Sequence, residues 1–175
     1  MNTFPGISGF LSPGNIDEHV ISQSEIIYLE GYLLDSREAK KAFEKAIKIA
    51  SETDGKVSLS LSDSFCVKRH RNEFMGLIKN NVDILFANEE EIKSLFETGS
   101  LESALYNCKE LKNTCIITRA GEGSIVICNG KVNTIPPEKN VRVIDTTGAG
   151  DLYAAGFLHG YVRGMDPGIC GRIGS

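Results

Sequence analysis

Apolar residues recur along this chain with two different periods. Between residues 36 and 50 they fall at Ala39, Ala42, Phe43, Ala46, Ile47 and Ala50, one stripe of a helix for which Ser36 stands as N-cap. Val57-Ser58-Leu59-Ser60-Leu61 alternates with the two-residue period of a strand, and Ile26-Ile27-Tyr28-Leu29 reads as a buried strand ending at Glu30-Gly31. Ile16 to Ser22 predicts a short helix, and Phe65 to Ile78 a longer one with Phe74, Leu77 and Ile78 on one side. A strand at Ile84, helices near Glu89–Phe96 and Leu101–Leu111, and a strand at Cys115 follow. Strand and helix in alternation predict an α/β domain of three layers, a mostly parallel central sheet with helices on both faces. The stretch from Ser124 to Thr134 departs from that rhythm. Alternating residues there flank Asn129-Gly130, the strongest short signal for a hairpin. Val141, Val143 and Ile144 predict one more short strand.

Composition narrows the classes. With 175 residues, 41% of them hydrophobic, one domain with a real core is the natural count. A formal net charge of −4 speaks against a nucleic-acid-binding surface, and Lys68-Arg69-His70-Arg71 reads as a solvated helix face. No apolar run approaches the ~18 residues of a membrane span, and the first residues lack the basic and apolar segments of a secretory signal. The five cysteines (Cys66, Cys108, Cys115, Cys128, Cys170) form no C-x-x-C pair, which fits a reducing, cytoplasmic setting and thiols packed as small apolar groups. His19, His70 and His159 lie too far apart for a metal-ligand set. His159 also stands two helical turns beyond Asp151, about 12 Å by rise, too far for a direct pair.

The chemistry concentrates in Asp145-Thr146-Thr147-Gly148-Ala149-Gly150-Asp151, which leads into the helix-forming Leu152 to Leu158. Gly148, Ala149 and Gly150 let an anion approach their backbone amides, and the helix start adds free N–H groups and the positive end of its dipole. Asp151 in the same turn is either a first-turn dipole complement or, beside a bound phosphate, a base for an attacking hydroxyl. A dinucleotide fingerprint is disfavoured by Tyr153 at its third glycine, and neither Gly130-Lys131 nor Gly55-Lys56 continues as a Walker A loop. Two further motifs lie upstream. Asn88-Glu89-Glu90-Glu91 gives N-x-x-E at a strand–helix junction, where Asn88 alone is also an ordinary N-cap. Thr118-Arg119-Ala120-Gly121-Glu122-Gly123 is a glycine turn after a strand, equally readable as a hairpin turn.

Residues 145–158 resemble the C-terminal signature of the ribokinase, or PfkB, family of carbohydrate and nucleoside kinases, and the other two motifs follow in that family's order. The resemblance implies a ribokinase-like fold and phosphoryl transfer from ATP to a primary hydroxyl. It implies Asp151 as catalytic base and the amides of Gly148, Ala149 and Gly150 as an anion hole. Asn88 and Glu91 would organise Mg²⁺ and phosphate, Glu91 through water. Thr118, Gly121, Gly123 and Gly150 would bind nucleotide, with Ala120 standing where glycine is usual. Asp145 and Thr147 match positions that bind a monovalent cation such as K⁺. Tyr28-Leu29-Glu30-Gly31-Tyr32, Leu61-Ser62-Asp63-Ser64-Phe65 and Val82 to Glu89 resemble adenosine-kinase-like members, leaving ribokinase- or fructokinase-type substrates as alternatives. The implied partners are a small nucleoside or sugar and ATP, with no nucleic acid or membrane, and a homodimer for a full-length protein.

Family members are longer. Residues 1–175 therefore read as a partial ribokinase-like domain without the lid, most acceptor-sugar contacts and the C-terminal helices, and Met1-Asn2-Thr3 resembles an internal strand. That leaves a non-catalytic nucleotide-binding fragment as a further alternative.

Overall fold

A computed structural model describes residues 6–139 and 141–175, so the resemblance of Met1-Asn2-Thr3 to a strand lies outside the described residues. Strands β1 (Ile26–Glu30), β2 (Lys56–Ser60), β3 (Ile84–Asn88), β4 (Thr114–Thr118), β5 (Ser124–Cys128) and β6 (Lys131–Ile135) form one six-stranded sheet in that spatial order. The first four run parallel; β5 and β6 pair antiparallel. Helix α1 (Glu18–Ser22) precedes β1; α2 (Arg37–Glu52), α3 (Ser64–Asn80), α4 (Glu89–Leu95) and α5 (Leu101–Glu110) lie between the strands, and α6 (Ala149–Tyr161) and α7 (Pro167–Gly174) follow them.

The sheet is covered on both faces because its parallel strands are apolar on both. Leu85, Ala87, Cys115 and Ile117 pack with α2 to α5 in one cluster, while Ile84, Phe86 and Ile116 pack with Tyr153, Ala154, Phe157 and Cys170 of α6 and α7 in another. The alternation in β2 suggests a solvated serine face, yet Ser58 is fully buried because the α6 layer covers that face too, and among the described residues its hydroxyl has no partner.

Local signals explain the elements. Ser36 caps α2 by accepting from the Ala39 amide, and the six apolar positions of its stripe are all buried. Asn129 and Gly130 have φ of 50° and 74°, the left-handed pair that a two-residue hairpin between β5 and β6 requires. The basic cluster at the middle of α3 is a charged surface, matched by acids: Arg69 pairs with Asp35, Arg71 with Glu97, and His70 bridges Asp35 and Glu73 at a kink in the helix. Four of the cysteines are buried and all five are free. Among the described residues no helix is long and apolar enough to cross a membrane.

One expected element is missing. Val141, Val143 and Ile144 form no strand; they are exposed, Ile144 to 90%, in an irregular connection between β6 and α6. β-branched residues favour strands where a half-buried sheet surface receives them, and this stretch has none against it.

Helix α6 is located by close contacts. Phe157 meets Phe86 edge-on at 5.6 Å between ring centroids, and Phe86 meets Tyr28 in the same way at 6.0 Å, linking α6 to β3 and β1. Against α7 one contact is backbone on backbone: a Cβ on Gly156 would lie 2.8 Å from Gly174 Cα and from the Ile173 carbonyl oxygen.

Candidate active site

Parallel strands deliver their C-terminal ends to one edge, and a cavity of about 390 Å³ opens there. It is lined by Tyr28 and Glu30 of β1, Ser60 of β2, Asn88 at the end of β3, Thr118 at the end of β4, Glu91 of α4, and the turn from Thr146 to Asp151. A second hollow adjoins it, more apolar in lining, with Leu33, Ala154, Ala155 and Leu158. Tyr28, Glu30, Tyr32 and Asp151 belong to both, so Asp151 stands at their junction.

The glycine turn is built as the sequence suggests from Gly148 onward. Gly148 is the N-cap of α6 with φ of 74°, a left-handed conformation that costs a residue with a Cβ roughly 1–2 kcal/mol. The next amides stand at a helix start, where backbone N–H groups lack intrahelical partners. The Ala149 amide, expected in the anion hole, instead donates to the Thr146 carbonyl at 3.1 Å in this structure. Asp145 lies outside the cavity lining; its Oδ1 accepts from the Thr147 amide at 2.8 Å. That backbone bond, with the Thr147 hydroxyl, holds the Asp145 carboxyl below the ordinary aspartate value. Only two of the three motifs sit at strand ends; among the described residues no strand lies between β6 and the glycine turn.

Asn88 and Glu91 form a reciprocal capping box. The Asn88 side chain accepts from the Glu91 amide at 2.9 Å, and Glu91 accepts from the Asn88 backbone at 2.8 Å and from its Nδ2 at 2.6 Å. Glu91 is only 5% exposed. Burial, with the nearby Asp63 and Glu30 carboxylates, pushes its carboxyl up to about 7 against the Asn88 bond. Both Glu91 oxygens are already engaged, and no group of three ligating side chains among the described residues could hold an ion outright. This donor set suits a hard cation held through water rather than by direct ligation.

The second glycine turn is partly in place. Thr118 lines the cavity, whereas Gly121 and Gly123 do not. Gly123 has φ of 84°, and a Cβ there would run into the Ile135 carbonyl oxygen, so its glycine closes the turn between β4 and β5. Ala120, where the resemblance leads one to expect glycine, carries φ of 47°.

Several lining residues are absent from the sequence-based site. Glu30 Oε2 accepts from Ser62 Oγ at 2.9 Å, and Ser62 Oγ accepts from the Tyr32 amide at 3.2 Å, which ties the ends of β1 and β2 together. Ser62 holds φ of 68°, the kind of backbone outlier that gathers at functional edges. The available signal was a polar residue at the end of each apolar strand. His159 takes no part; it bonds Arg163 one turn on. Tyr153 turns inward to Ser124.

The sequence profile of the pfkB family carbohydrate kinases matches residues 2–175. The chain belongs to that family. A nucleoside kinase of Methanocaldococcus jannaschii is 34% identical over 131 residues, 74% of this chain and 42% of that protein. An uncharacterized sugar kinase of Archaeoglobus fulgidus is 29% identical over 175 residues, 98% of this chain and 66% of that protein. The crystal structure of adenosine kinase from Sinorhizobium meliloti superposes with a TM-score of 0.91 at 40% identity, covering 95% of this chain and 51% of that one. The fold is therefore the ribokinase-like α/β architecture of the family's kinases, and the chain spans about half to two thirds of the length of these relatives or less.

Proposed function

We propose that the chain carries the phosphoryl-transfer end of an ATP-dependent kinase acting on a primary hydroxyl of a nucleoside or sugar, adenosine-kinase-like in substrate. The observation that carries this is the place of Asp151, at the start of α6 and shared between a polar cavity and an apolar hollow. In this reading the polar cavity takes the triphosphate and the apolar hollow the acceptor. Asp151 accepts the hydroxyl proton as the oxygen attacks the γ-phosphorus, an effect typically worth about 10²–10⁴ in rate. The amides of Gly150 and Asp151, with Gly148 and Ala149 forming the turn, stabilise charge on the transferred group. Asn88 and Glu91 orient water toward Mg²⁺, which when bound neutralises the triphosphate. Thr118 contacts the nucleotide, Gly121 and Gly123 shape its loop, and Asp145 with Thr147 serves a monovalent cation, K⁺ by family resemblance. The adenosine preference rests on the nucleoside and adenosine kinases among the relatives.

A second reading, a nucleotide-binding module without turnover, draws on the Ala149 amide, which is spent on the Thr146 carbonyl and not turned to a transferred group. ATP consumption with adenosine, ribose and fructose, by this chain and by a protein of full family length, separates the two. Adenosine-dependent turnover supports the kinase. Nucleotide binding with no turnover in either supports the module.

A further inference from the structure

The polar cavity has three carboxylate residues in its lining, Glu30, Glu91 and Asp151, and no lysine or arginine. A triphosphate brings several more negative charges, against which the start of α6 offers only about half a positive charge. Thr118 is the one lining residue with a basic neighbour in sequence, Arg119.

Strand register explains where that side chain stands. Asn88 and Thr118 are partners across β3 and β4, so Glu89 and Arg119 follow one another's strand ends side by side. The Arg119 amide donates to the Gly123 carbonyl at 2.8 Å and its carbonyl accepts from the Glu122 amide at 2.9 Å, closing the turn. Its side chain is 22% exposed and lies between two acids. Nη2 pairs with Glu122, while Nε stands 3.6 Å from Glu89, beyond hydrogen-bond range. Nε is buried with no hydrogen-bond partner among the described residues. A guanidinium N–H desolvated without an acceptor is a donor in search of one.

We propose that Arg119 is a nucleotide-phosphate contact, held by Glu89 and Glu122 in the free chain and turned to an oxygen beyond the α-phosphate when nucleotide binds. The inference rests on the phosphoryl-transfer reading and adds a cationic residue to it. Glu122 is the acid that gives way: it is 70% exposed, so water takes over its charge, while Glu89 stays, shared with Lys93 at 3.3 Å. A planar guanidinium suits phosphate oxygens better than an ammonium would.

Calorimetric titration of MgATP, MgADP and AMP tests this with the unsubstituted chain, Arg119→Gln, Arg119→Lys and Glu122→Gln. Arg119→Gln weakens MgATP about ten- to hundredfold and AMP less than about twofold, with Arg119→Lys between. Glu122→Gln, a surface change that leaves the fold intact, tightens MgATP severalfold by removing the competing acid. Unchanged MgATP affinity in Arg119→Gln overturns the proposal. So do equal losses for MgATP and AMP, which make Arg119 a loop brace only, and so does weaker MgATP binding by Glu122→Gln. Failure of both this chain and a protein of full family length to bind MgATP or MgADP overturns the phosphoryl-transfer reading itself.

Discussion

Tyr153 Oη and Ser124 Oγ lie 2.7 Å apart inside the core, joining the helix of Asp151 to the strand that leaves Gly123. Ser124 is 1% exposed, so no water replaces a lost partner. Tyr153→Phe is expected to lower unfolding free energy by about 1–3 kcal/mol, read as a shifted urea midpoint at constant slope. Adding Ser124→Ala should return part of that loss, because it removes the stranded hydroxyl.

Two glycine-to-alanine changes should move stability in opposite directions. Gly156→Ala drives a methyl against Gly174 and the Ile173 carbonyl, and overpacking of this kind costs typically 1–3 kcal/mol. Gly76, inside α3, has nothing within 4 Å of its would-be Cβ. Gly76→Ala is expected to stabilise by roughly 0.5–1 kcal/mol. Thermal melts of the two variants beside the parent provide the comparison.

Asp151→Asn, in a protein of full family length, should leave ATP affinity nearly unchanged and cut kcat by at least about a hundredfold. Steady-state kinetics alongside equilibrium nucleotide binding measure both. A near-parental kcat would remove Asp151 as the base.

Acid stability should depend on Asp35 and Glu73. The Arg69 hydrogen bond, aided by His70, holds the Asp35 carboxyl below its ordinary 3.8. Burial alone would raise Glu73, but Lys40 and His70 reverse that and hold it below 4.5. With both lowered in the folded chain, the unfolded chain binds more protons across that window, so stability rises with pH there. The contribution is fully present above the ordinary values and is lost as pH falls through the lowered ones. Asp35→Asn should flatten this limb in a series of denaturant curves from pH 5 down to about 2. At neutral pH it should cost no more than about 1 kcal/mol, since the pair with Arg69 is half exposed and screened.

Much of the frame was legible because local rules and burial agree. The stripe from Ala39 to Ala50 became the buried face of α2, and Asn129-Gly130 became the hairpin turn. Val141 to Ile144 show where propensity fails: β-branching favours a strand only against a surface, and sequence does not reveal whether one is present. The site was half legible. Asn88, Thr118 and the turn from Gly148 to Asp151 stand together as their motifs suggest. Glu30 and Ser62, 32 residues apart, meet only because parallel β1 and β2 end at the same level. No short motif encodes a contact that depends on strand register.

The meeting of α6 with α7 through Gly156 and Gly174 has a bearing on how sharply Asp151 is placed. Side chains in a helix contact can change rotamer and let the helices shift, and each one fixed on folding costs conformational entropy. Glycine has no rotamers to exchange and no side-chain freedom to lose. At the Gly156–Gly174 contact the spacing of the two helices is therefore set by main-chain atoms, and no side-chain rotamer at that point can change the approach of the helix that begins at Asp151's turn.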